Sequence, residues 1–441
     1  MYLGATSREN RTSRISFFVL IPIVLLSIIG LIALYSTTIL PEGGVSDLSI
    51  VKKQAITILV GFIIYYASSY VSLSIIKYWQ FLAMFYIGCI GLLVATLLFG
   101  PVINNVQRWL IIGGIQIQPS EVVKILVILI TAGIFSYKDK YNEFLLFAIS
   151  AILILPILFL IYMQPSGTMT ILTFAIWFTL AFLGLRYPVR NTILLMIIIS
   201  LVLAFVLPNI TGNKLYYLLS IIAVVSASFG FFARNNWRIA IIASVLIGLV
   251  LGGLASIAWS KVLKDYQKER IEAYFSPEET KDDTGFNVNQ SKIAIGSGQL
   301  WGKGFGNGTQ SKRNFLPEYQ TDFIFASYAE EFGFVGCMVL ILLYTFLISL
   351  CFVTAVKCVD NQHFALICIG IGVKLMLEVF VNLGTDIGTI PATGIPLPLM
   401  SSGGTITLVT LLEFGIIQNI IVRTSKKSVK KNTSIIKVYE D

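Results

Sequence analysis

The sequence predicts an all-α, polytopic integral membrane protein with about twelve transmembrane helices and one long extracytoplasmic loop. Three observations carry that reading: an apolar composition, a series of apolar runs of membrane length, and the placement of the basic residues. Of 441 residues, 56% are hydrophobic and 12% are charged, and the mean hydropathy is +0.83, outside the range of a soluble domain. A span needs ~20 apolar residues. Such runs fall at 16–39, 55–73, 79–99, 121–136, 145–163, 168–185, 191–208, 215–233, 239–259, 323–355, 364–386 and 404–422. No small-residue cleavage site follows the first, which therefore reads as a retained anchor.

Lys and Arg collect on the cytoplasmic side of a membrane protein. With the N-terminus inside (Arg8, Arg11, Arg14), the inside loops receive Lys77, Lys138, Lys140, Arg186, Arg190, Arg234, Arg238 and Lys357. The C-terminal tail, also inside, adds Arg423, Lys426, Lys427, Lys430, Lys431 and Lys437. The short outside loops hold only Lys52, Lys53, Arg108 and Lys214. The expected organisation is a cytoplasmic tail over 1–15, nine spans over 16–260, an extracytoplasmic loop over 261–321, three spans over 322–422 and a basic cytoplasmic tail over 423–441. Topology thus accounts for most of the net charge of +9, and no nucleic-acid partner is needed.

Several chemistries drop out. The five cysteines, Cys89, Cys337, Cys351, Cys358 and Cys368, lie in or beside apolar segments with no paired spacing, so neither a disulfide framework nor a zinc site is expected. The single histidine, His363, reads as a loop residue beside Asn361 and Gln362, which excludes histidine-based triads. The stretch GSGQLWGKGF (296–305) fails as a phosphate-binding loop, with Ser297 at the first glycine position and Gly304 in place of Ser or Thr. An ATP-driven pump is therefore not expected.

The informative residues concentrate outside. In NNVQRWLIIGGIQIQPSEVVK (104–124), Arg108 offers a planar fork for phosphate, and Trp109 suits a sugar face or the membrane interface. An interfacial Arg-Trp anchor is the plainer alternative. Ser120 is placed to cap the next helix, where Glu121 and Lys124 share a face and can neutralise each other. In the long loop, DYQKERIEAYF (265–275) reads as an amphipathic helix on the outer leaflet. Beyond it, Lys292, Lys303, Lys312 and Arg313 amid glycines suit an anionic headgroup.

Asp322 opens the apolar run that also carries Glu330 and Glu331. A carboxylate facing lipid costs roughly 3 kcal/mol or more at mid-bilayer, so these acids should face protein or a watery cavity. At ~100° per residue, Glu330 lies about 80° and Glu331 about 180° around a helix from Asp322. Glu330 is then the one that can share the cavity, and Glu331 is expected to pair with a neighbouring span. Lys374 and Glu378, four apart, are expected to pair. The Pro- and Gly-rich stretch 381–408 cannot be regular helix and reads as a re-entrant cavity wall or an interhelical loop.

Taken together, QRWL (107–110), QPSEVVK (118–124), YQKERI (266–271), NQSKIAIGSG (289–298), LPEYQTDFIFA (316–326) and TGIPLPLMSSGG (393–404) resemble the SEDS family (shape, elongation, division and sporulation) of peptidoglycan glycosyltransferases. GKGF (302–305) and GTQ (308–310) look more like the RodA elongation type than the FtsW division type. The resemblance implies polymerisation of lipid II at the outer face of the bacterial cytoplasmic membrane, alongside a class B penicillin-binding protein transpeptidase. Its family aspartate falls on Asp322, its Arg-Trp pair on Arg108 and Trp109, and its Glu and Lys on Glu121 and Lys124.

A glycosyl transfer needs a base for the acceptor hydroxyl and cations for the departing pyrophosphate. Asp322 is read as that base. Arg108, Trp109, Glu121, Lys124, Lys292, Lys303 and Glu330 are read as substrate-binding. No cofactor is named, with a divalent cation left open. Three departures from the family pattern stand out: Asn105-Val106 lacks the usual glycine, QPSGT (164–168) has Ser166 for the family acid, and Ser402 replaces a tyrosine in SSGG. Two spans beyond the family's ten also fall among 191–259. The rival classes are a lipid flippase or secondary transporter, which would show a mid-bilayer site and an inverted repeat, and a non-catalytic scaffold.

Overall fold

The structure, a computed structural model, describes residues 15–39, 44–45, 47–102, 106–112, 115–185, 283–310, 318–358 and 360–440. The chain divides into one unit of residues 1–184 with 281–441 and a second of 185–280. Everything below belongs to the first. The spans expected at 191–208, 215–233 and 239–259, the helix expected at 265–275, and Lys312 and Arg313 lie outside the described residues.

Runs of Leu, Ile, Val, Phe and Ala close their own backbone hydrogen bonds as helices, the only open-ended arrangement that lipid tolerates. The helices are α1 (Phe17–Ser36), α2 (Ser49–Tyr70), α3 (Trp79–Phe99), α4 (Pro119–Phe135), α5 (Glu143–Met163), α6 (Gly167–Gly184), α7 (Asp283–Ser297), α8 (Ile324–Lys357), α9 (Gln362–Ile387) and α10 (Gly404–Glu440). Among the described residues, eight helices are long and apolar enough to cross a membrane. They coincide with eight of the expected spans. The 17-residue α4 fills the place expected at 121–136. It is the centre of the unit, packed by α3, α5, α6, α9 and α10, with only Val122 and Ile134 reaching partial exposure.

The loops sort to two ends, as alternating spans require. At one end the Gln118 amide donates to Thr405 Oγ1 (3.0 Å), the Ser402 amide to Gln320 O (2.9 Å) and Gln320 Nε2 to Thr37 Oγ1 (3.3 Å). At the other, Lys138 Nζ and Gln362 Nε2 both donate to Gly184 O, and Asn419 Nδ2 donates to Val71 O.

α8 is one helix only in outline. At ~1.5 Å per residue its 34 residues would run about 51 Å, well beyond a ~30 Å hydrocarbon core. The backbone breaks at Gly333 (φ 63, ψ −165), a region that a side chain would strain. In an unbroken helix the amides of Phe334 and Val335 would bond the carbonyls of Glu330 and Glu331. Instead they donate to Gln299 O (2.8 Å) and Leu300 O (3.2 Å), while the Lys303 and Gly304 amides donate to the Glu330 and Glu331 carbonyls (3.0 Å each). The turn 299–304 thus plugs the break and satisfies four backbone groups that would be costly to bury alone.

Two sequence expectations are corrected, and three segments carry structure that was not foreseen. His363 is not a loop residue: it sits buried in the first turn of α9, its Cε1 3.7 Å from where a Cβ on Gly133 would stand. Ser120 caps nothing, because α4 begins one residue earlier with Pro119 at its first position and Gln118 outside it. The loop 104–124 contains an antiparallel hairpin, β1 (Leu110–Ile112) with β2 (Ile115–Ile117), its register pairing Ile112 with Ile115. Inside the long loop, residues 283–297 form α7. In addition, α10 runs unbroken past residue 422 to Glu440. The five cysteines are free and buried.

Candidate active site at the mouth between α8 and α9

Asp322 precedes the helical part of α8, whose N-cap is Phe323. The helical reckoning of Glu330 and Glu331 from Asp322 therefore does not apply. Asp322 is half-buried. Its peptide oxygen accepts from Asn382 Nδ2 of α9 (2.7 Å), and that same amide donates to Ile395 O (2.8 Å). One side chain thus fixes both the turn bearing Asp322 and the irregular segment after α9. The Ser401 hydroxyl ties the two again, donating to Thr321 O (2.5 Å).

Of the stretch 381–408, expected to be irregular throughout, residues 381–387 continue α9 and 404–408 begin α10; only 388–403 is irregular, and it turns back into the bundle. Ile395, Leu397, Leu399, Met400 and Ser401 are buried, and Met400 Cα lies 2.8 Å from where a Cβ on Gly30 of α1 would stand. Gly30 is six residues from the end of α1 at Ser36, so the segment dips about 9 Å at ~1.5 Å per residue. Tyr344 on α8 donates to Pro398 O (2.5 Å), which satisfies a carbonyl that non-helical backbone would otherwise leave bare. Gly394 (φ 68) faces Asp322: a Cβ there would stand 3.3 Å from Asp322 Oδ2. The carboxylate therefore lies against the Gly394 backbone, where a larger residue would crowd it.

The two glutamates beyond Asp322 are engaged elsewhere. Glu330 is 0% exposed; its Oε1 accepts from Lys303 Nζ (2.6 Å), Thr309 Oγ1 (2.7 Å) and the Thr309 amide (2.9 Å). Glu331 accepts from Ser36 Oγ of α1 at 2.5 Å, the neighbouring-span partner that the sequence led one to expect. Lys303 and Glu330 thus close on each other and pin the 299–310 loop over the break in α8. Lys292, on α7, is exposed, and its Nζ lies 2.6 Å from where a Cβ on Gly388 would stand, at the left-handed residue ending α9.

Arg108 donates through Nη2 to Pro165 O in the α5–α6 turn. This is the shortened QPSGT stretch, where Ser166 is buried. Trp109, beside it, is partly buried, its carbonyl 2.9 Å from where a Cβ on Gly100 would stand.

Glu121 and Lys124 do pair, at 2.8 Å, but as one end of a longer chain. Lys124 reaches Glu378 (2.5 Å), Lys374 bridges Glu378 (3.2 Å), and Lys374 also meets Glu413 of α10 (2.9 Å). All five side chains are at most 2% exposed. Counted in helix residues, the chain descends from about 8 Å below the Asp322 end at Lys124 to about 20 Å at Lys374, at ~1.5 Å per residue. Among the described residues, no group of three or more His, Cys, Asp or Glu side chains is arranged to hold a metal ion.

With this geometry in hand, the comparisons are specific. The family model of FtsW, RodA and SpoVE, described as cell cycle protein, matches residues 16–220 and 195–426. The chain belongs to this family. The peptidoglycan glycosyltransferase MrdB of Escherichia coli K12 is 31% identical over 412 residues, covering 93% of this chain and 95% of that protein. The peptidoglycan glycosyltransferase RodA of Treponema pallidum is 29% identical, covering 94% and 99%. The probable peptidoglycan glycosyltransferase FtsW of Bacillus subtilis is also 29% identical, covering 93% and 91%.

Solved structures share the fold. A chain of a peptidoglycan synthase complex that coordinates polymerization and crosslinking superposes with TM-score 0.62 at 22% identity, covering 93% of this chain and 98% of that one. The rod shape determining protein RodA of Thermus thermophilus gives 0.58 at 20% identity, covering 93% and 97%. The described bundle is thus the membrane fold of this family.

Three residues of the site escaped sequence reasoning. Glu413 carried no local signal, since its partner lies 39 positions away on another helix. Asn382 and Asp386 were visible as polar residues in the stretch 381–408, but nothing local said that they face the turn of Asp322. They lie four apart on α9, the spacing of one helical face.

Proposed function

We propose that Asp322 is the general base of a glycan-polymerising reaction at the outer face of the bacterial cytoplasmic membrane. The chain is a peptidoglycan glycosyltransferase, with lipid II, an undecaprenyl-pyrophosphate-linked disaccharide-peptide, as its substrate. Asp322 takes the proton of the acceptor sugar hydroxyl. That oxygen forms the new bond to the donor's anomeric carbon as the carbon–oxygen bond to pyrophosphate breaks. A β-linked product from an α-linked donor then needs one inverting displacement. The observation that carries this is the half-exposed Asp322 carboxylate, seated against Gly394 at the end of a broken helix. Its position combines reduced dielectric with access for an incoming hydroxyl.

The remaining roles divide by exposure. Arg108 and Lys292 bind the pyrophosphate that leaves, and Trp109 packs against a sugar. Glu121 and Lys124 anchor the cavity wall from below, and Lys303 with Glu330 holds the loop over it. A divalent cation at the pyrophosphate would add to the same charge stabilisation. Both termini lie in the cytoplasm, the five segments bounded at 15, 260, 321 and 422 form the organisation, and a class B penicillin-binding protein supplies crosslinking. GKGF and GTQ favour service in elongation over division.

Purified protein given labelled lipid II tests the reading directly. Polymer supports it; translocation without polymer would make the chain a flippase, and neither would make it a scaffold. Orientation has its own check. A cysteine introduced at Asn307 should react with an impermeant thiol reagent in intact cells, whereas reaction only after lysis would reverse the topology.

A further inference from the structure

Asp386 is a carboxylate 0% exposed within the bundle, and the chemistry above does not use it. Its Oδ2 accepts the backbone amide of Ala326 (3.1 Å). Ala326 is the third residue of α8, after Ile324 and Phe325, and its amide is one of the four that a helix start leaves without an intrahelical partner. Phe323, at the N-cap, offers no side-chain acceptor. The cap thus comes from another helix. The other oxygen, Oδ1, is buried with no hydrogen-bond partner among the described residues. A fully buried carboxylate that spends one oxygen on a single amide and leaves the other unmet is costly to keep.

We propose that Asp386 is a positioning residue: it caps the half-helix of α8 from α9 and thereby fixes the turn from which the Asp322 carboxylate projects. Asn382, one turn earlier on α9, holds the Asp322 carbonyl (2.7 Å). Together the two side chains grip this turn on both sides of Phe323. α7 braces the grip from behind, since the Ser291 hydroxyl donates to the Asp386 carbonyl (2.8 Å) and Ala294 packs with Phe323 and Ala326. Among the described residues, Lys292 on α7 places its ammonium over Gly388, two residues beyond Asp386. The catalytic part of this inference rests on the reading of Asp322 as base.

Two variants separate capping from bulk folding. Asp386→Asn keeps an acceptor for the Ala326 amide; Asp386→Ala removes it. In wild-type protein and both variants, hydrogen exchange of the segment 323–330 and the kcat and KM for lipid II polymerisation are measured per folded molecule. A misplaced catalytic group typically costs on the order of 10²-fold. Asp386→Ala should therefore lose about that factor in kcat with KM within about threefold, and exchange in 323–330 should quicken by about tenfold or more. Asp386→Asn should stay near wild type in both. Unchanged exchange in Asp386→Ala would overturn the cap, as would an Asn variant as impaired as the Ala variant. Altered exchange with undiminished kcat would overturn the service to Asp322. A wild-type protein that makes no polymer would sink the functional reading alone and leave exchange to judge Asp386.

Discussion

Two sets of charges in this bundle are treated in opposite ways. The chain Glu121–Lys124–Glu378–Lys374–Glu413 is closed: each member meets an opposite charge within 3.2 Å and almost no surface reaches solvent. Asp322 is half-buried and lies against the Gly394 backbone ahead of α8. Charge buried to this extent is weak evidence of stabilisation in itself, but removing one partner is severe because the others remain unpaired. The closed set reads as architecture joining α4, α9 and α10. The partly exposed Asp322 reads as chemistry. Substitutions in the first set should be felt in stability, and substitution of Asp322 in rate.

The largest effect on the fold is expected at Lys124, which holds two carboxylates. Lys124→Met should cost about 3–5 kcal/mol, the range for breaking a buried pair, seen as a large drop in thermal stability and in folded yield. Stability equal to wild type would mean that the closed chain does not carry the packing. A smaller loss is expected at Glu331, whose oxygens receive the Ser36 hydroxyl. Glu331→Gln keeps one acceptor and should cost roughly 1–3 kcal/mol, in line with a hydrogen bond to a charged group, with turnover per folded molecule nearly unchanged. Should turnover fall while the melting temperature holds, Glu331 belongs with Asp322 and not with the architecture.

The smallest change tests Arg108, proposed above to bind the pyrophosphate. Arg108→Lys keeps the charge but loses the planar fork, so polymerisation should fall by more than half, about 0.4 kcal/mol or more in transition-state terms. Full activity in Arg108→Ala would leave Arg108 the role of an anchor, of which the bond to Pro165 O is one part.

The same contrast marks how much was legible in the sequence. Hydropathy located the described spans, because lipid leaves the backbone few options. Pairs such as Glu121 with Lys124 and Lys374 with Glu378 were legible at three- and four-residue spacings. Their union through Lys124 and Glu378, and its extension to Glu413, was not, because both depend on which faces α4 and α10 turn to α9. The break at Gly333 was hidden too: a lone glycine in an apolar run is tolerated by a helix, and only the turn 299–304, distant in sequence, makes it a break. The hairpin at 110–117 left a local signal, two Ile-rich runs separated by Gly-Gly, which the membrane pattern overshadowed. Asp322 itself was legible through its motif and its place at the head of an apolar run, but Asn382 on α9 and Gly394 beyond it gave no local sign of meeting it.

The contrast between the buried ion chain and the partly exposed Asp322 is tested most directly by Asp322→Asn. The amide has nearly the shape of the carboxylate but cannot take a proton from the acceptor hydroxyl at neutral pH. Purified wild-type and variant proteins would be compared for thermal stability and for polymerisation of labelled lipid II. The expected result is a melting curve close to wild type with a rate lower by ~10²–10⁴-fold, the usual cost of removing a general base. Polymer made at the wild-type rate by folded Asp322→Asn protein would contradict the assignment.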